Sequence, residues 1–511
     1  MFAALGSPAS AAVVISNAAT ANMACSAGVC TATAADTVLS RKQLLTMLAS
    51  GNAKVATGTA THIIRVVTGL SWTSANALTL DSSGSIRIDA PVTVTGPGGV
   101  SLVTNDGGSG GSLSFAPKGN LTFWDMSSAL TINGVAYTLV NNIATMASDA
   151  NANWSTNLAL ANNYDASVDG TFSDAPVSVL WGNFEGLGHT MSNLSVASSG
   201  FCALFGVAGN VENITLNNVN MVGYGGQLAA GLVAQGGNTI SNVTVTGHID
   251  ASGSSVAGFI AAMFGGAGSM LSNAHASGQL VAGNGTQVGG LVGQNLIGTI
   301  SFSSADVEIT GGGLAVGGLV GVSTGSVSDS FATGAVSGQG YVGGAIGGNV
   351  GSVMRTYATG AVTDSGTGQY ADAGGFVGIN QPSNPYVAYI GNSYATGTVS
   401  GGTNAGGFVG ANQSPIKGSY ATGNVTGASM MGGFVGDDTS THSIANSHWD
   451  TTTGVANPSQ GAGNIANDPG IRGLTTLEFQ SGLPKNFNPN VWGENANING
   501  GLPYLLAIPP R

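Results

Sequence analysis

The sequence predicts an all-β fold, a β-helix or β-solenoid with irregular or short-helix caps, on three observations. The pentapeptide Gly-Gly-(Leu/Phe)-Val-Gly begins at Gly289, Gly317, Gly374, Gly406 and Gly432, with Gly343-Gly344-Ala345-Ile346-Gly347 as a variant and looser copies at Ala230 and Ala257. Its second residue recurs at 231, 258, 290, 318, 344, 375, 407 and 433, intervals of 26 to 32 residues, the period of a stacked repeat. A second phrase answers each copy, best formed as Ser-Tyr-Ala-Thr-Gly-x-Val at Ser393 and Ser419 and echoed at Ser330. Period-two alternation also runs from about Ile63 to Phe123, broken by Gly, Asp and Pro, as short strands require.

Taken in order, residues 1–37 read as a leader remnant and N-terminal segment. Ala9-Ser10-Ala11 is a candidate signal-peptidase site, and the missing basic region places the start of such a signal upstream. Cys25 and Cys30 suit a small disulfide that leaves Cys202 unpaired, and they equally suit free or buried thiols. Residues 38–130 hold a capping helix over 38–51 and then solenoid coils. Ser40 and Gln43 form its expected capping box, Leu44, Leu45 and Leu48 its apolar stripe, and Gly51 its stop. The strands are expected at Leu78-Thr-Leu80, Ile86-Arg-Ile88, Val92-Thr-Val94, Leu113-Ser-Phe115 and Leu121-Thr-Phe123. Residues 131–200 form an irregular transition with a short helix around Asn142 to Ser148, residues 201–450 the repeat array, and residues 451–511 a C-terminal cap with a helix capped by Thr475 and Glu478. The motif glycines are expected at coil corners, where φ > 0 and close approach exclude a Cβ.

Composition narrows the function. Glycine is commonest at 84 residues, yet no Gly-x-y period exists, which excludes collagen. Only 7% of residues are charged, too few for solvated disorder, and the net charge of −12 disfavours nucleic acid and anionic membranes as partners. No apolar run reaches the roughly 18 residues of a membrane-spanning helix.

The repeats orient their own side chains. Aligned on the tyrosine of the second phrase, one slot holds Thr215, Thr244, His275, Ser304, Phe331, Tyr357, Tyr394, Tyr420 and His448. The next residue is always apolar, from Leu216 and Val245 through Ala395 and Ala421 to Trp449. Strand side chains alternate, so the apolar slot points inward and the tyrosine slot outward. The residue before the tyrosine shares the inward parity and runs from Ile214 and Val243 to Ser393 and Ser419, so the interior should become smaller and more polar. Outward rungs about 4.8 Å apart in parallel stacking form a ladder. That ladder is the expected binding surface for a host or environmental glycan or surface protein, with cross-strand stabilisation as the competing role.

Over roughly residues 184 to 450 these motifs resemble the GLUG repeat of bacterial surface and secreted proteins related to filamentous haemagglutinin. The tail Asn446-Ser-His-Trp-Asp-Thr-Thr-Thr453, then Leu474-Thr-Thr476 and Gly501-Leu-Pro-Tyr504, is similar to the end of such arrays. The resemblance implies a parallel, right-handed β-helix, secreted or at the cell surface, working in adhesion. Neither a two-partner secretion domain nor an autotransporter barrel is recognised, and the route of export stays open, as does the oligomeric state.

Enzymes on the same scaffold are the rival class. Asp437-Asp438 is the only adjacent acidic pair, and Gly188-His189 is similar to the Gly-His of galacturonases. They lie many coils apart, in the wrong chain order and without an Arg-x-Lys partner. His-Glu-x-x-His is absent; His442, His448 and Asp450 near Asp437 and Asp438 make the best metal candidate, with ordinary loop residues the favoured reading. Cys202, inside Phe201-Cys-Ala-Leu-Phe205, reads as a packed thiol. No catalytic residue, metal or cofactor is therefore expected. The expected function is that of a non-enzymatic adhesin or surface structural protein, with a polysaccharide lyase or hydrolase and a passive stalk as alternatives.

Overall fold

Parallel strands stacked coil upon coil make the chain an all-β solenoid in the computed structural model, which describes residues 11–225, 228–284, 287–440, 443–455 and 460–510. The proposed signal-peptidase site begins outside the described residues, and His442 lies outside them. The chain divides into two units, each with its own interior. One comprises residues up to Asp165 with Leu180–Met191 and Val211–Thr215, the other Ala166–Val179, Ser192–Asn210 and the chain from Leu216 onward.

In the first unit every expected period-two run is a strand. Three parallel stacks form. Ile63–Val66, Ser85–Ile88 and Leu113–Phe115 make one, and Leu70–Trp72, Val92–Val94 and Leu121–Phe123 another. Ala53–Ala56, Leu78–Asp81, Val100–Val103 and Leu130–Ile132 make the third. Alternate residues such as Ile64, Leu80, Ile86, Val94 and Phe123 are buried, as strand geometry dictates. Cys25 and Cys30 face each other across the antiparallel hairpin of Met23–Ser26 and Val29–Ala32 and are disulfide-bonded.

Helix α1 spans Arg41–Ser50 and buries Leu44 and Leu48. Its expected capping box does not form. Thr20 intercepts both partners: its hydroxyl accepts from Ser40 N at 3.0 Å and donates to Gln43 Oε1 at 2.5 Å. Helix α2, Ile143–Ala152, extends four residues past its expected end and is capped by Asn142, whose side chain accepts from Thr145 N at 2.8 Å.

The second unit repeats one coil. Asp372–Gly374, Val377–Asn380, Tyr389–Gly391, Tyr394–Ala395 and Val399–Gly401 pair in parallel with Asn404–Gly406, Val409–Asn412, Ile416–Lys417, Tyr420–Ala421 and Val425–Thr426. The two sequence phrases meet across the interior. A Cβ on Gly290, Gly318, Gly344, Gly375 or Gly407 would lie 3.0–3.2 Å from the methyl of Ala305, Ala332, Ala358, Ala395 or Ala421 and 2.1–2.3 Å from a carbonyl of the next coil. None of these glycines has positive φ. Close approach alone requires them, which corrects the expected φ > 0.

Left-handed backbone falls instead one residue before the inward Ser slot, at Asn242, Asn273, Phe302, Asp329, Arg355, Asn392, Gly418 and Asn446. Asn and Gly tolerate that conformation best, so the recurring asparagines mark the true corners.

The interior becomes polar along the array, as expected. Val243 and Ala274 give way to Ser303, Ser330, Thr356, Ser393, Ser419 and Ser447, all buried. Each hydroxyl donates to the carbonyl two residues earlier, as Ser393 Oγ does to Gly391 O at 3.0 Å. Several also accept an amide of the preceding coil, as Ser419 Oγ does from Ser393 N at 3.2 Å. A second buried row links Asn349, Asn380, Asn412 and Asp438 by amide-to-oxygen bonds of 2.8–3.0 Å. Backbone carbonyls and amides satisfy the hydroxyls, and the asparagines satisfy one another, which offsets the cost of their burial, while Asp438 Oδ2 at the end of the row has no hydrogen-bond partner among the described residues.

Candidate binding face

The outward slot is one continuous register. Thr244 pairs with His275, then Ser304, Phe331, Tyr357, Tyr394, Tyr420 and His448. Its aromatic rings stack with centroids 4.8 Å apart for Phe331–Tyr357 and Tyr357–Tyr394 and 5.0 Å for Tyr394–Tyr420, the parallel-strand spacing. Thr215, in the first unit, is half-buried at its own outward slot.

Outward from the coil is not outward to solvent for half of this ladder. Tyr357, Tyr394, Tyr420 and His448 are buried and Phe331 half-buried, which corrects the expectation of one exposed platform. The cause is the C-terminal segment, which folds back along the coils. It starts at helix α3, Thr476–Phe479, where the expected Thr475/Glu478 capping box forms. Phe479, Phe487, Trp492, Leu505 and Ile508 then share one apolar cluster with the three tyrosines. Trp492 lies 6.0 Å from the Tyr394 ring and 5.7 Å from that of Tyr420. Tyr420 OH donates to Pro503 O at 2.6 Å and accepts from Asn499 Nδ2 at 2.9 Å. Burial raises the Tyr394 and Tyr420 phenols and draws the His448 imidazole down to about 4.

The open half lies on the long strands Val233–Ala251, Met270–Ala282 and Ser304–Gly311. Three outward rows run across them in register: Thr244, His275 and Ser304; Thr246, Ser277 and Asp306; His248, Gln279 and Glu308. Their polar tips are linked along the stack. His275 Nδ1 and Ser304 Oγ are 2.8 Å apart, Gln279 Nε2 donates to Glu308 Oε2 at 3.2 Å, and Thr333 Oγ1 donates to Asp306 Oδ1 at 2.9 Å. Beside them Phe302, 48% exposed, occupies the left-handed corner just before Ser303 and Ser304. The alignment on tyrosine found the first row but not Phe302, whose only signal is an aromatic residue at a slot otherwise rich in asparagine.

The rival site residues are tied into structure. His189 is buried, with Nε2 at 2.9 Å from Leu121 O and Nδ1 at 3.1 Å from Asn163 Oδ1, and burial draws it down to about 4. Nearby Glu185, also buried, accepts from Leu187 N and Asn213 Nδ2; burial first, and the Glu212 carboxylate second, push its carboxyl up to about 8. Asp438 ends the asparagine row. Asp450 accepts from Thr452 N at 2.7 Å and from Thr476 Oγ1 at 2.6 Å. Cys202 is a buried thiol that burial pushes up to about 12. Among the described residues no three His, Cys, Asp or Glu side chains gather as a metal group, and no helix is long and apolar enough to cross a membrane. No family model matches the chain, and no curated protein matches it.

Proposed function

We propose that this chain is an exported bacterial β-solenoid of the GLUG-repeat, filamentous haemagglutinin-like kind, acting as an adhesin or cell-surface structural protein. The carrying observation is the division of the outward ladder. The aromatic half is packed under the chain's own C-terminal segment, and the flank of Thr244, Thr246, His275, Gln279, Ser304 and Glu308 stays open with Phe302 at its rim. Registered hydroxyl, amide and carboxylate groups beside an exposed aromatic ring suit a glycan, whose hydroxyls take hydrogen bonds while its apolar ring face stacks. Repetition along the stack lets modest contacts add by avidity. The Cys25–Cys30 disulfide fits an oxidising compartment and so supports export.

A glycan and surface-protein array probed with the whole chain tests the reading. Binding is expected, and it should fall at least tenfold in Thr246→Lys/Gln279→Lys while Tyr394→Phe, in the covered half, leaves it unchanged. Equal binding by all three would remove the open flank from the argument. No binding by the parent favours a spacer, and release of reducing sugar from an acidic polysaccharide favours an enzyme.

A further inference from the structure

The segment from Thr475 onward satisfies some rungs of the ladder it covers and leaves others unpaired. Tyr420 OH finds two partners in it, and Trp492 Nε1 and Asn486 Nδ2 donate to the corner residues Asn392 and Asn446 at 3.4 and 2.9 Å. Tyr394 OH and both ring nitrogens of His448 have no hydrogen-bond partner among the described residues, although Tyr394 is 0% and His448 4% exposed. What lies over His448 is apolar: Phe479 meets its ring edge-on at 6.5 Å, and Phe487 lies tilted at 5.5 Å. A buried polar group without a partner is costly, so these rungs pull against docking while the apolar rings favour it.

Nothing around His448 is placed to receive a positive charge on it. Its register partner on the strand Ile471–Leu474 is Arg472, and on the other side it is Tyr420. On its own strand Asp450 is bound to Thr452 N and Thr476 Oγ1, and on α3 Glu478 is bound into the capping box with Thr475. Burial first, and the Arg472 guanidinium with it, oppose a proton on the ring. The backbone carbonyls of Arg472 and Lys485 favour one without prevailing, and the imidazole is held near 4.

We propose that the segment from Thr475 onward is an acid-released cover: a proton taken up by His448 unseats it and bares the rings of Tyr357, Tyr394 and Tyr420. While the segment is docked the ring excludes the proton. Once the segment lifts, the ring meets water and takes a proton up at its ordinary value near 6.5. Docking is therefore favoured in full above about pH 6.5 and loses ground as the pH falls from there towards 4. The bared rings stand in the same register as Thr244, His275 and Ser304, so release lengthens the open flank along the stack.

Hydrogen exchange of the full chain, read by mass spectrometry and corrected for the intrinsic rate at each pH, tests the cover. Between pH 7.5 and pH 5.5 the amides from Phe479 to Ile508 should lose roughly tenfold in protection. The strands Ser352–Met354 and Tyr389–Gly391, in the coils beneath, should keep theirs. That range lies above the ordinary carboxylate values, so acids of usual strength stay ionised across it. His448→Phe, which sets an uncharged ring against Phe479 and Phe487, should hold the segment equally at both pH values. His448→Gln should also lose the pH dependence, whatever its starting protection. The proposal is overturned if the parent's segment is equally protected at both pH values, if His448→Phe loses protection as the parent does, or if coils and segment lose protection together.

Discussion

Gly375 and Ala395 face each other across the interior of one coil: a Cβ on Gly375 would stand 3.2 Å from the Ala395 methyl and 2.1 Å from the carbonyl of Gly407. Gly375→Ala should therefore lower stability by about 1–3 kcal/mol or more through overpacking. Because the carbonyl is the harder contact, adding Ala395→Gly should restore little of the loss. Urea unfolding of the two single variants and the double variant measures this; full recovery in the double would show that the methyl, not the backbone, sets the spacing.

Trp492 is the largest fully buried side chain by which the C-terminal segment packs on the tyrosine ladder. Trp492→Ala should cost about 3–5 kcal/mol of docking and packing, and the segment beyond residue 475 should become the first site of limited proteolysis. Tyr420→Phe removes both bonds of the Tyr420 hydroxyl, but Asn499 Nδ2 still donates to Pro503 O, so only about 0.5–1.5 kcal/mol is expected. Unchanged proteolysis in Trp492→Ala would argue that the segment is held elsewhere.

The asparagine row should tolerate an acid at its end but not in its middle. Asn380 donates to Asn412 Oδ1 and accepts from Asn349 Nδ2, so Asn380→Asp loses the donor and sets a charge against an amide oxygen. A loss of about 1–3 kcal/mol is expected, read as a lower denaturation midpoint at pH 7. Stability equal to the parent would mean that the row carries little.

Two buried groups give opposite pH dependences. His448 is held near 4 against an ordinary value of 6.5, so its neutral form is favoured in the folded chain. That contribution is present above pH 6.5 and is lost as pH falls through about 4. Glu185 is raised to about 8 from 4.5, so its contribution is full below pH 4.5 and is lost as pH rises to about 8. Denaturation midpoints measured from pH 4 to 9 should show the alkaline loss flatten in Glu185→Gln and the acid loss flatten in His448→Gln. Persistence of the alkaline slope in Glu185→Gln would assign it to another group.

Much of this architecture is legible in the sequence. Sidedness and register need only the period of a strand and the period of the repeat, so aligning the phrases placed Thr244, His275, Ser304 and Tyr394 in one row and Ser393 and Ala395 inside. The strands of the first unit and the α3 cap were equally local. The Ser40/Gln43 box failed because Thr20, distant in sequence, competes for the same two partners. Motif glycines suggested corners, while the corners are marked by asparagines such as Asn242 and Asn273 and the glycines by a facing alanine.

The sequence by itself determined the repeat, the alternation of faces and the polar drift of the interior, because each follows from contacts between equivalent positions of adjacent coils. Only the tertiary structure decided which outward rungs meet solvent. A chain segment folding back from residue 475 onward competes with water for the aromatic ladder, and its apolar residues carry no period that assigns them to Tyr357, Tyr394 and Tyr420.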